Sequence, residues 1–221
     1  MRGAVSAPAK VRRPRAELDT VAQSLEDWAT AMGCPWSFGG SWRRGRLVVG
    51  DLDVVLFVST LWGVELPAGF RAERAGPMIV QGWLEDVRVD LWACPESDAG
   101  PFLSFVTGPA DLNVFMRGRA KALGYKLGQN QLHGYAGPVY TEEQLADALG
   151  LPYLLPENRD DWRRVYMAPR GDRLVAEVVG SKGDQYQVRQ ARDGSLSCTC
   201  RGFYYRRQCR HISPFVVAAA G

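Results

Sequence analysis

Two aspartates one residue apart, Asp51 and Asp53, stand at the start of an apolar run that predicts a strand over residues 54–58. Side chains two positions apart on a strand point to the same face, so the two carboxylates should lie side by side. Like charges this close repel each other, and a divalent cation that prefers hard oxygen ligands relieves the repulsion. The pair therefore predicts a Mg²⁺ site, with alternating acids on a surface strand as the plainer alternative.

A glycine-rich turn with two arginines precedes the aspartates, at residues 39–45. Gly40 and Ser41 are small enough for backbone N–H groups and a hydroxyl to approach an anion, and Arg44 supplies a positive charge. Phosphate binding beside a Mg²⁺ site is what phosphoryl transfer requires. The turn and the aspartates together therefore indicate phosphoryl transfer more strongly than the aspartates do alone.

A third carboxylate, Asp90, lies in an alternating segment at residues 87–92. The alternation places Arg88, Asp90 and Trp92 on one face of a predicted strand and the apolar residues between them in the core. If this strand neighbours the one that carries the aspartate pair, three carboxylates can hold two Mg²⁺ ions. Such a site activates a 3′-hydroxyl and stabilises a leaving pyrophosphate. A salt bridge from Asp90 to Arg88 is the alternative.

Three of the five cysteines and one of the two histidines fall within fourteen residues near the C-terminus. Their spacing is C-x-C-x8-C-x-H, and three thiolates with one imidazole form a closed tetrahedral set for Zn²⁺. A disulfide framework does not fit five cysteines, and clustered cysteines in a reducing compartment more often bind metal. The predicted ligands of one structural Zn²⁺ ion are Cys198, Cys200, Cys209 and His211.

The loop around these ligands alternates cations with aromatic rings. Arginines supply phosphate contacts and rings stack on unpaired bases, so the loop predicts nucleic-acid binding. The alternative is that Phe203 belongs to the core and that the arginines only keep the module soluble. The residues concerned are Arg201, Phe203, Tyr204, Tyr205, Arg206, Arg207 and Arg210.

Charge is distributed unevenly along the chain. Residues 162–221 carry 11 Lys and Arg against 4 Asp and Glu, whereas the preceding residues carry 16 against 20. A basic segment on a mildly acidic body is typical of a protein whose basic part touches a polyanion. We therefore expect most of the affinity for nucleic acid to reside in this segment. Catalysis should survive its removal, because no predicted metal-binding aspartate lies beyond Asp90.

Composition and length limit the class of protein. With 46% hydrophobic and 23% charged residues among 221, the chain is typical of a globular protein. The longest apolar runs stop far short of the roughly 18 residues of a membrane-spanning helix, and the N-terminus has no apolar signal core. The sequence therefore predicts an intracellular protein, cytoplasmic or nucleoid-associated, with no membrane partner.

Hydrophobic periodicity and turn residues predict the elements that position these groups. Residues 1–15 contain five Lys and Arg and no acid, and they predict a flexible basic arm without a fixed fold. The strands at 78–84 and 87–92 should form a hairpin, and Thr141 begins a capping box. The predicted helices cover 18–32, 108–123 and 141–150, and the remaining predicted strands cover 54–58, 174–179 and 186–191.

Over about residues 36–165 the chain resembles the family X DNA polymerases, the DNA polymerase beta type. The glycine-rich turn, with G-D-L-D beginning at Gly50, matches the family's phosphate-binding and metal-binding motif without insertion. Residues 89–91 resemble the strand that bears the family's third aspartate, and residues 155–159 resemble the end of its thumb. About 35 residues precede the motif, so we expect a catalytic minimum without the lyase and fingers domains of longer relatives.

The resemblance also implies roles for a segment that begins at residue 104. There Phe105 corresponds to an aromatic residue against the sugar, Asn113 to a contact with the minor-groove edge of the base, and Arg117 to a residue near the template. Gly108 lies in the same nucleotide-binding segment. The family usually has Tyr-Phe where this chain has Phe-Val at 105–106, which weakens the expected selection against ribonucleotides. Ala110 replaces an aspartate that is common in the family.

The resemblance implies an α+β fold: a nucleotidyltransferase palm of mixed or antiparallel sheet with helices, a small thumb, and a ββ-type zinc finger. The cysteine spacing resembles the SWIM zinc-finger family, which is associated with DNA or protein binding. We expect a flexible arm at 1–15, an N-terminal helix and palm at 16–136, a thumb at 137–168 and the finger at 169–221.

The function implied is a template-dependent DNA polymerase that fills short gaps during DNA repair. Its cofactors would be two Mg²⁺ or Mn²⁺ ions at Asp51, Asp53 and Asp90, with one structural Zn²⁺ ion. Its partners would be gapped or primer–template DNA and deoxynucleoside triphosphates, and the protein would be a monomer. Two alternatives stay open: a template-independent nucleotidyltransferase acting on nucleic acid or protein, and a non-catalytic adaptor that binds nucleic acid.

Overall fold

The chain has an α+β fold with a mixed sheet, as predicted. The structure is a computed structural model that describes residues 11–167, 173–191, 193–206 and 208–216. No helix within these ranges is long and apolar enough to cross a membrane. The strands are β1 (Arg13–Pro14), β2 (Trp36–Phe38), β3 (Val48–Val49), β4 (Leu52–Leu56), β5 (Arg71–Ala75), β6 (Ile79–Leu84), β7 (Val87–Ala93), β8 (Lys126–Leu127), β9 (Leu132–His133), β10 (Arg173–Val179), β11 (Gln185–Gln190) and β12 (Leu196–Cys198). The helices are α1 (Asp19–Ala31), α2 (Gly40–Arg43), α3 (Ala99–Thr107), α4 (Ala110–Ala122), α5 (Glu142–Ala148), α6 (Trp162–Tyr166), α7 (Arg201–Arg206) and α8 (Ser213–Val216), with 3₁₀ turns at Arg15–Leu18, Glu96–Asp98 and Pro156–Asp161.

The last residues of the predicted flexible arm are ordered. Strand β1 pairs with β3, Arg13 forms a 2.7 Å ion pair with Asp86, and the Arg15 guanidinium lies 3.6 Å from the centroid of Trp42. The expectation of no fixed fold is therefore wrong for residues 11–15, because these arginines bind the body of the protein. Residues 1–10 of the predicted arm lie outside the described residues.

A five-stranded sheet holds the predicted catalytic carboxylates. Its strand order is β2-β4-β7-β6-β5, with β4 and β7 parallel and the other neighbours antiparallel. The predicted hairpin is confirmed as β6 and β7, and Glu85 in its turn has a φ of 54°. Helix α1 begins one residue after Leu18, as its periodicity predicts, and buries Val21 and Leu25 against the sheet. Strands β4 and β7 are neighbouring interior strands of this sheet.

A helical region, residues 99–167, follows the sheet. The predicted helices at 108–123 and after Thr141 are confirmed as α4 and α5, and the Thr141 hydroxyl and Gln144 side chain form the predicted capping box. Helix α3 was not predicted, because Gly100 and Pro101 usually interrupt helices; proline is tolerated in a first turn, where no N–H partner is lost. The core of this region consists of α4, α5 and α6 and is centred on Phe115, Trp162 and Tyr166.

The C-terminal module, residues 173–216, has a separate small core. Strands β10 and β11 confirm the predicted pair, and the short β12, which periodicity cannot detect, completes an antiparallel sheet of order β10-β11-β12. Its core contains Val188, Cys198 and Phe203. Helix α7 belongs to two cores, because Phe203 faces the module whereas the next residue, Tyr204, packs on Phe115 of the helical region with ring centroids 4.9 Å apart.

Candidate active site and metal centre

The three predicted catalytic aspartates lie on neighbouring strands. The parallel register of β4 and β7 pairs Asp53 directly with Asp90, and Asp51 stands immediately before β4. Among the described residues, the converging group of three or more candidate metal ligands consists of cysteines and a histidine near the C-terminus and does not include these aspartates. The arrangement meets the condition on which the third carboxylate depends, that the strand of Asp90 neighbours the strand of the pair.

Asp90 is held by two donors. The Arg88 Nε lies 3.3 Å from one carboxylate oxygen, and the Gln81 side-chain amide donates to the other at 2.8 Å. Arg88 also forms an ion pair with Glu73. The salt bridge considered as the plainer alternative is therefore present, and it leaves lone pairs on both oxygens of Asp90 for a metal ion. Sequence reasoning missed Gln81, whose only signal is a polar side chain in an apolar strand.

The glycine-rich turn lies directly against Asp53. The Gly39 N–H donates to the Asp53 carbonyl at 2.8 Å, and the Trp92 indole N–H donates to the Asp53 carboxylate at 3.1 Å. A Cβ on Gly40 would lie only 2.1 Å from the other oxygen of this carboxylate, and Gly40 has a φ of +58°. Half-buried Ser41 follows in α2. The predicted phosphate turn and metal-binding strand thus meet at Asp53.

Gly50 occupies the short link between β3 and β4, immediately before Asp51, and is half-buried. Its position agrees with the place of the G-D-L-D motif at the entrance of the strand.

The two arginines of the turn bind the helical region. Arg43 makes a bidentate ion pair with Glu142, at 3.0 and 2.7 Å, and Arg44 pairs with Asp160 at 3.1 Å and donates to the Thr107 carbonyl. Arg44 was predicted as a phosphate clamp, and its side chain is 13% exposed in this arrangement. The turn therefore connects the five-stranded sheet to the helical region as well as facing Asp53.

The residues predicted to face the nucleotide also lie together. The Asn113 side-chain amide donates to the Phe105 carbonyl at 2.7 Å, and the exposed Arg117 guanidinium lies 5.7 Å from the Phe105 ring centroid. Gly108, between their two helices, has a φ of +66° and a ψ of −149°, which a residue with a Cβ rarely adopts. The junction of α3 and α4 thus gathers this predicted group.

The four predicted zinc ligands converge. Their ligand atoms lie within 4.8 Å of one another, and the Cys198 Sγ is 3.7 Å from the His211 Nδ1. Backbone N–H groups of Cys200 and Phe203 donate to the sulfurs of Cys198 and Cys200. Burial raises the pKa of the Cys198 thiol to about 12, an effect that a bound cation offsets by stabilising the thiolate. A buried set of three sulfurs and one imidazole suits Zn²⁺.

The aromatic rings beside this cluster do not form the predicted stacking surface. Phe203 is 7% exposed and Tyr204 6% exposed, because α7 is packed between the two cores. The alternative interpretation of Phe203 as core is confirmed, and base stacking is wrong for both residues. Tyr205 is half-buried against Phe115 and Gly118. Nothing in local sequence distinguishes rings that pack on another region from rings that face a ligand.

The cations of the C-terminal module remain exposed. Lys182, Arg201, Arg206 and Arg210 line a cleft of about 980 Å³ beside the cysteine cluster, and within the described ranges these four form no ion pair. Arg207, predicted with them, lies outside the described residues. Some arginines elsewhere form ion pairs, namely Arg13, Arg43, Arg44, Arg46, Arg88, Arg159 and Arg163.

Comparison with known proteins supports a relationship to the family X DNA polymerases. A model of the DNA polymerase beta thumb matches residues 102–160, which include most of α3 and all of α4 and α5. DNA polymerase lambda of Rattus norvegicus is 26% identical over 189 residues, an alignment that covers 67% of this chain and 33% of that protein. The chain therefore spans about a third of the length of this relative. Both similarities agree with the mixed α+β fold and with a polymerase-like function.

Proposed function

We propose that the chain is a template-dependent DNA polymerase of the family X type. The observation that carries the proposal is the parallel pairing of β4 and β7, which sets Asp53 beside Asp90 with Asp51 two residues before Asp53. The thumb similarity supplies the class of reaction, because the relatives it points to are DNA polymerases. The substrates proposed are deoxynucleoside triphosphates and a primer 3′-hydroxyl on gapped or primer–template DNA, as in short-gap repair.

Asp51, Asp53 and Asp90 are the proposed ligands of two Mg²⁺ or Mn²⁺ ions. When bound, such ions lower the pKa of the primer hydroxyl and neutralise charge on the leaving pyrophosphate. Arg88 and Gln81 keep the Asp90 carboxylate in a fixed orientation through their 3.3 and 2.8 Å contacts. The chain's own contribution is therefore to fix three carboxylates before substrate arrives.

The glycine-rich turn is the proposed triphosphate site. Gly40 leaves no side chain between the turn and the Asp53 carboxylate, so the backbone proposed to bind phosphate and the carboxylate proposed to bind a metal ion lie next to each other. Ser41 offers a hydroxyl, and Arg44 offers a guanidinium once it is released from Asp160. Arg44 would thus exchange the Asp160 carboxylate for a phosphate of the nucleotide.

Phe105, Asn113 and Arg117 are the proposed contacts to the sugar, the base edge and the template. The hydrogen bond from Asn113 to the Phe105 carbonyl couples the first two positions. Phe105 has no phenolic hydroxyl and is followed by Val106 rather than by a second ring. We therefore expect a weaker preference for deoxynucleotides over ribonucleotides than in relatives with Tyr-Phe.

The C-terminal module is proposed as a SWIM-type zinc finger that binds DNA. Cys198, Cys200, Cys209 and His211 would hold one Zn²⁺ ion, and the adjoining cleft presents Lys182, Arg201, Arg206 and Arg210 to phosphates. Since the aromatic rings are packed inside, the contacts proposed are to the backbone of the nucleic acid. The polymerase is proposed to act as a monomer.

Substitution of Asp90 tests the catalytic assignment. In Asp90→Asn, nucleotide addition to a one-nucleotide gap should fall by about 100-fold or more, while DNA affinity stays near the wild-type value. Asp27→Asn, on the exposed face of α1, is the matched control. Unchanged turnover in Asp90→Asn would remove this residue from the site. Equal extension of single-stranded and templated primers by the wild-type protein would instead indicate a template-independent nucleotidyltransferase.

A further inference from the structure

Helix α4 has two differently occupied faces. Asn113 and Arg117 are four residues apart and therefore share one face of the helix. At about 100° per residue, Phe115 lies about 160° around the helix from both of them. Phe115, with Gly118 three residues later, belongs to the face that the C-terminal module covers. The proposed nucleotide contacts and the module thus lie on nearly opposite sides of one helix.

Two tyrosines of α7 make the contact with α4. The rings of Tyr204 and Tyr205 lie 4.9 and 5.6 Å from the Phe115 ring, measured between centroids. Tyr205 also lies so close to Gly118 that a Cβ there would be 2.5 Å from the Tyr205 Cε1. Gly118 is the position at which α4 accommodates this ring.

The same short helix is bounded by metal ligands. Helix α7 begins directly after Cys200 and ends at Arg206, three residues before Cys209. A six-residue helix has too few hydrogen bonds to persist on its own, so its ends must be held by the surrounding structure. A metal ion bound by Cys200 and Cys209 would hold both ends. The position of the two tyrosines therefore depends on the metal centre.

The contact between α7 and α4 is narrow. A cleft of about 420 Å³ opens beside it, and its lining includes Val114, Trp162 and Arg201. Tyr204 and Tyr205 are the α7 side chains whose rings contact Phe115. Loss of the Tyr205 ring should therefore leave α4 less constrained.

We infer that the C-terminal module supports α4 from behind, with Tyr205 as a positioning residue for Asn113 and Arg117 and with zinc occupancy setting how firmly the helix is held. The inference rests on the proposed function of these two residues. It replaces the expectation that catalysis survives removal of the module. The module then contributes to nucleotide selection as well as to DNA affinity.

Hydrogen exchange of the full chain tests the physical coupling without any assay of activity. Chelation of zinc from the wild-type protein should speed amide exchange in α4 by about tenfold or more, and leave exchange in β4 and β7 unchanged. Unchanged α4 exchange after complete zinc removal, measured by metal analysis, would overturn the inference. This readout remains decisive even if the wild-type protein adds no nucleotides, an outcome that would count against the proposed function alone.

A double-mutant cycle between Tyr205 and Gly118 tests the contact itself. Tyr205→Ala should retain zinc and DNA affinity, but lower kcat/KM for the incoming nucleotide by about 10-fold to 100-fold, mainly through KM. Gly118→Ala should act in the same direction by displacing the Tyr205 ring, although alanine favours the helix. Tyr205→Phe, which keeps the ring, and Tyr140→Ala, an exposed tyrosine elsewhere, should stay near wild type.

The cycle has a definite expectation. If both residues act through one contact, the double variant should be no worse than Tyr205→Ala alone, because Gly118→Ala has no ring left to displace. Wild-type kinetics in both single variants, or fully additive losses in the double variant, would overturn the positioning role. Zinc loss from Tyr205→Ala would shift the decision to Gly118→Ala, which replaces no residue of the module.

Discussion

Three features surround Asp53. The Gly39 N–H donates to its backbone carbonyl, and the Trp92 indole N–H donates to its carboxylate. The third feature is Gly40, which has no side chain and therefore lies very close to the carboxylate. The first two fix the strand and the carboxylate orientation. The third lets the second carboxylate oxygen pack directly against the turn. A proposed metal ligand is therefore defined by a glycine as much as by hydrogen bonds.

Comparison of Gly40→Ala with a control glycine variant should separate the effect of backbone strain from the effect of the contact with Asp53. The new Cβ would meet the Asp53 carboxylate at 2.1 Å and would stand at a φ of +58°, so both stability and nucleotide addition should fall. Gly45→Ala is the matched control, because Gly45 has a φ of +69° with nothing within 4 Å of its Cβ position. Both variants should lose about 1–2 kcal/mol in urea unfolding, and only Gly40→Ala should lose primer extension. Full activity in Gly40→Ala would contradict the close approach.

At the scale of elements, a buried ion triad joins the five-stranded sheet to the helical region. Glu142, at the start of α5, accepts hydrogen bonds from both terminal nitrogens of Arg43 in α2, at 3.0 and 2.7 Å. It also forms a 2.8 Å ion pair with Arg159 from the 3₁₀ turn. Glu142 is 7% exposed and Arg159 3% exposed. Charges buried to this extent are tolerated because they are paired, so the triad fixes the relative position of its three elements.

Glu142→Gln should destabilise the protein by about 3 kcal/mol, because two arginines would lose the charge that compensates them in a buried place. Urea unfolding followed by circular dichroism measures the loss. Glu143→Gln, the exposed neighbour on the same helix turn, should stay within about 0.5 kcal/mol of wild type. Equal stability of the two variants would show that the triad contributes orientation without net stabilisation.

Local patterns predicted the elements whose causes are local. The α5 capping box, the α1 stripe and the β6–β7 hairpin are each encoded within about fifteen consecutive residues. Strand β5 was missed because its sequence, RAERA, is charged and fully exposed, which suits an edge strand that must not pair with another chain. The pairing of Asp53 with Asp90 was foreseen only conditionally, since residue alternation does not state which strands are neighbours.

The site partners that were missed are long-range ones. Glu142 lies 99 residues from Arg43, and the Tyr204 contact with Phe115 joins two predicted domains. No window of sequence contains both members of such a pair. The aromatic rings of α7 were assigned to a ligand because a small module was expected to bury few of them, whereas a neighbouring core supplied the missing burial.

At the scale of the whole molecule, cations differ in what they bind. Those of the sheet and the helical region that form ion pairs are neutralised by local acids, whereas the cleft of the C-terminal module gathers four cations and one acid, Asp184. The Tyr186 hydroxyl lies 3.1 Å from that carboxylate. The positive potential of the chain is thus concentrated in its last quarter.

Arg206→Ala combined with Arg210→Ala should weaken DNA binding and flatten its dependence on salt. Each lost phosphate contact removes roughly 0.9 from the slope of log affinity against log salt on duplex DNA. Fluorescence anisotropy with gapped DNA at several salt concentrations measures the slope. Arg74→Ala, on the exposed edge strand β5, is the control and should leave the slope unchanged. An unaltered slope in the double variant would point to a protein as the partner of the cleft.

The hydrogen bond between Trp92 and Asp53 has an optical consequence. Indole emission responds to charge near the ring nitrogen, and at 3.1 Å the Asp53 carboxylate is a direct neighbour of that nitrogen. Titration with Mg²⁺ should therefore shift the emission of Trp92 as the carboxylate charge is shared with the ion. The chain has seven tryptophans, so the signal is isolated by subtracting the spectra of Trp92→Phe. An identical titration curve in Trp92→Phe would assign the signal to another tryptophan. If the Mg²⁺-dependent shift is lost in Trp92→Phe, then Trp92 is an intrinsic indicator of metal binding that needs no DNA and no turnover.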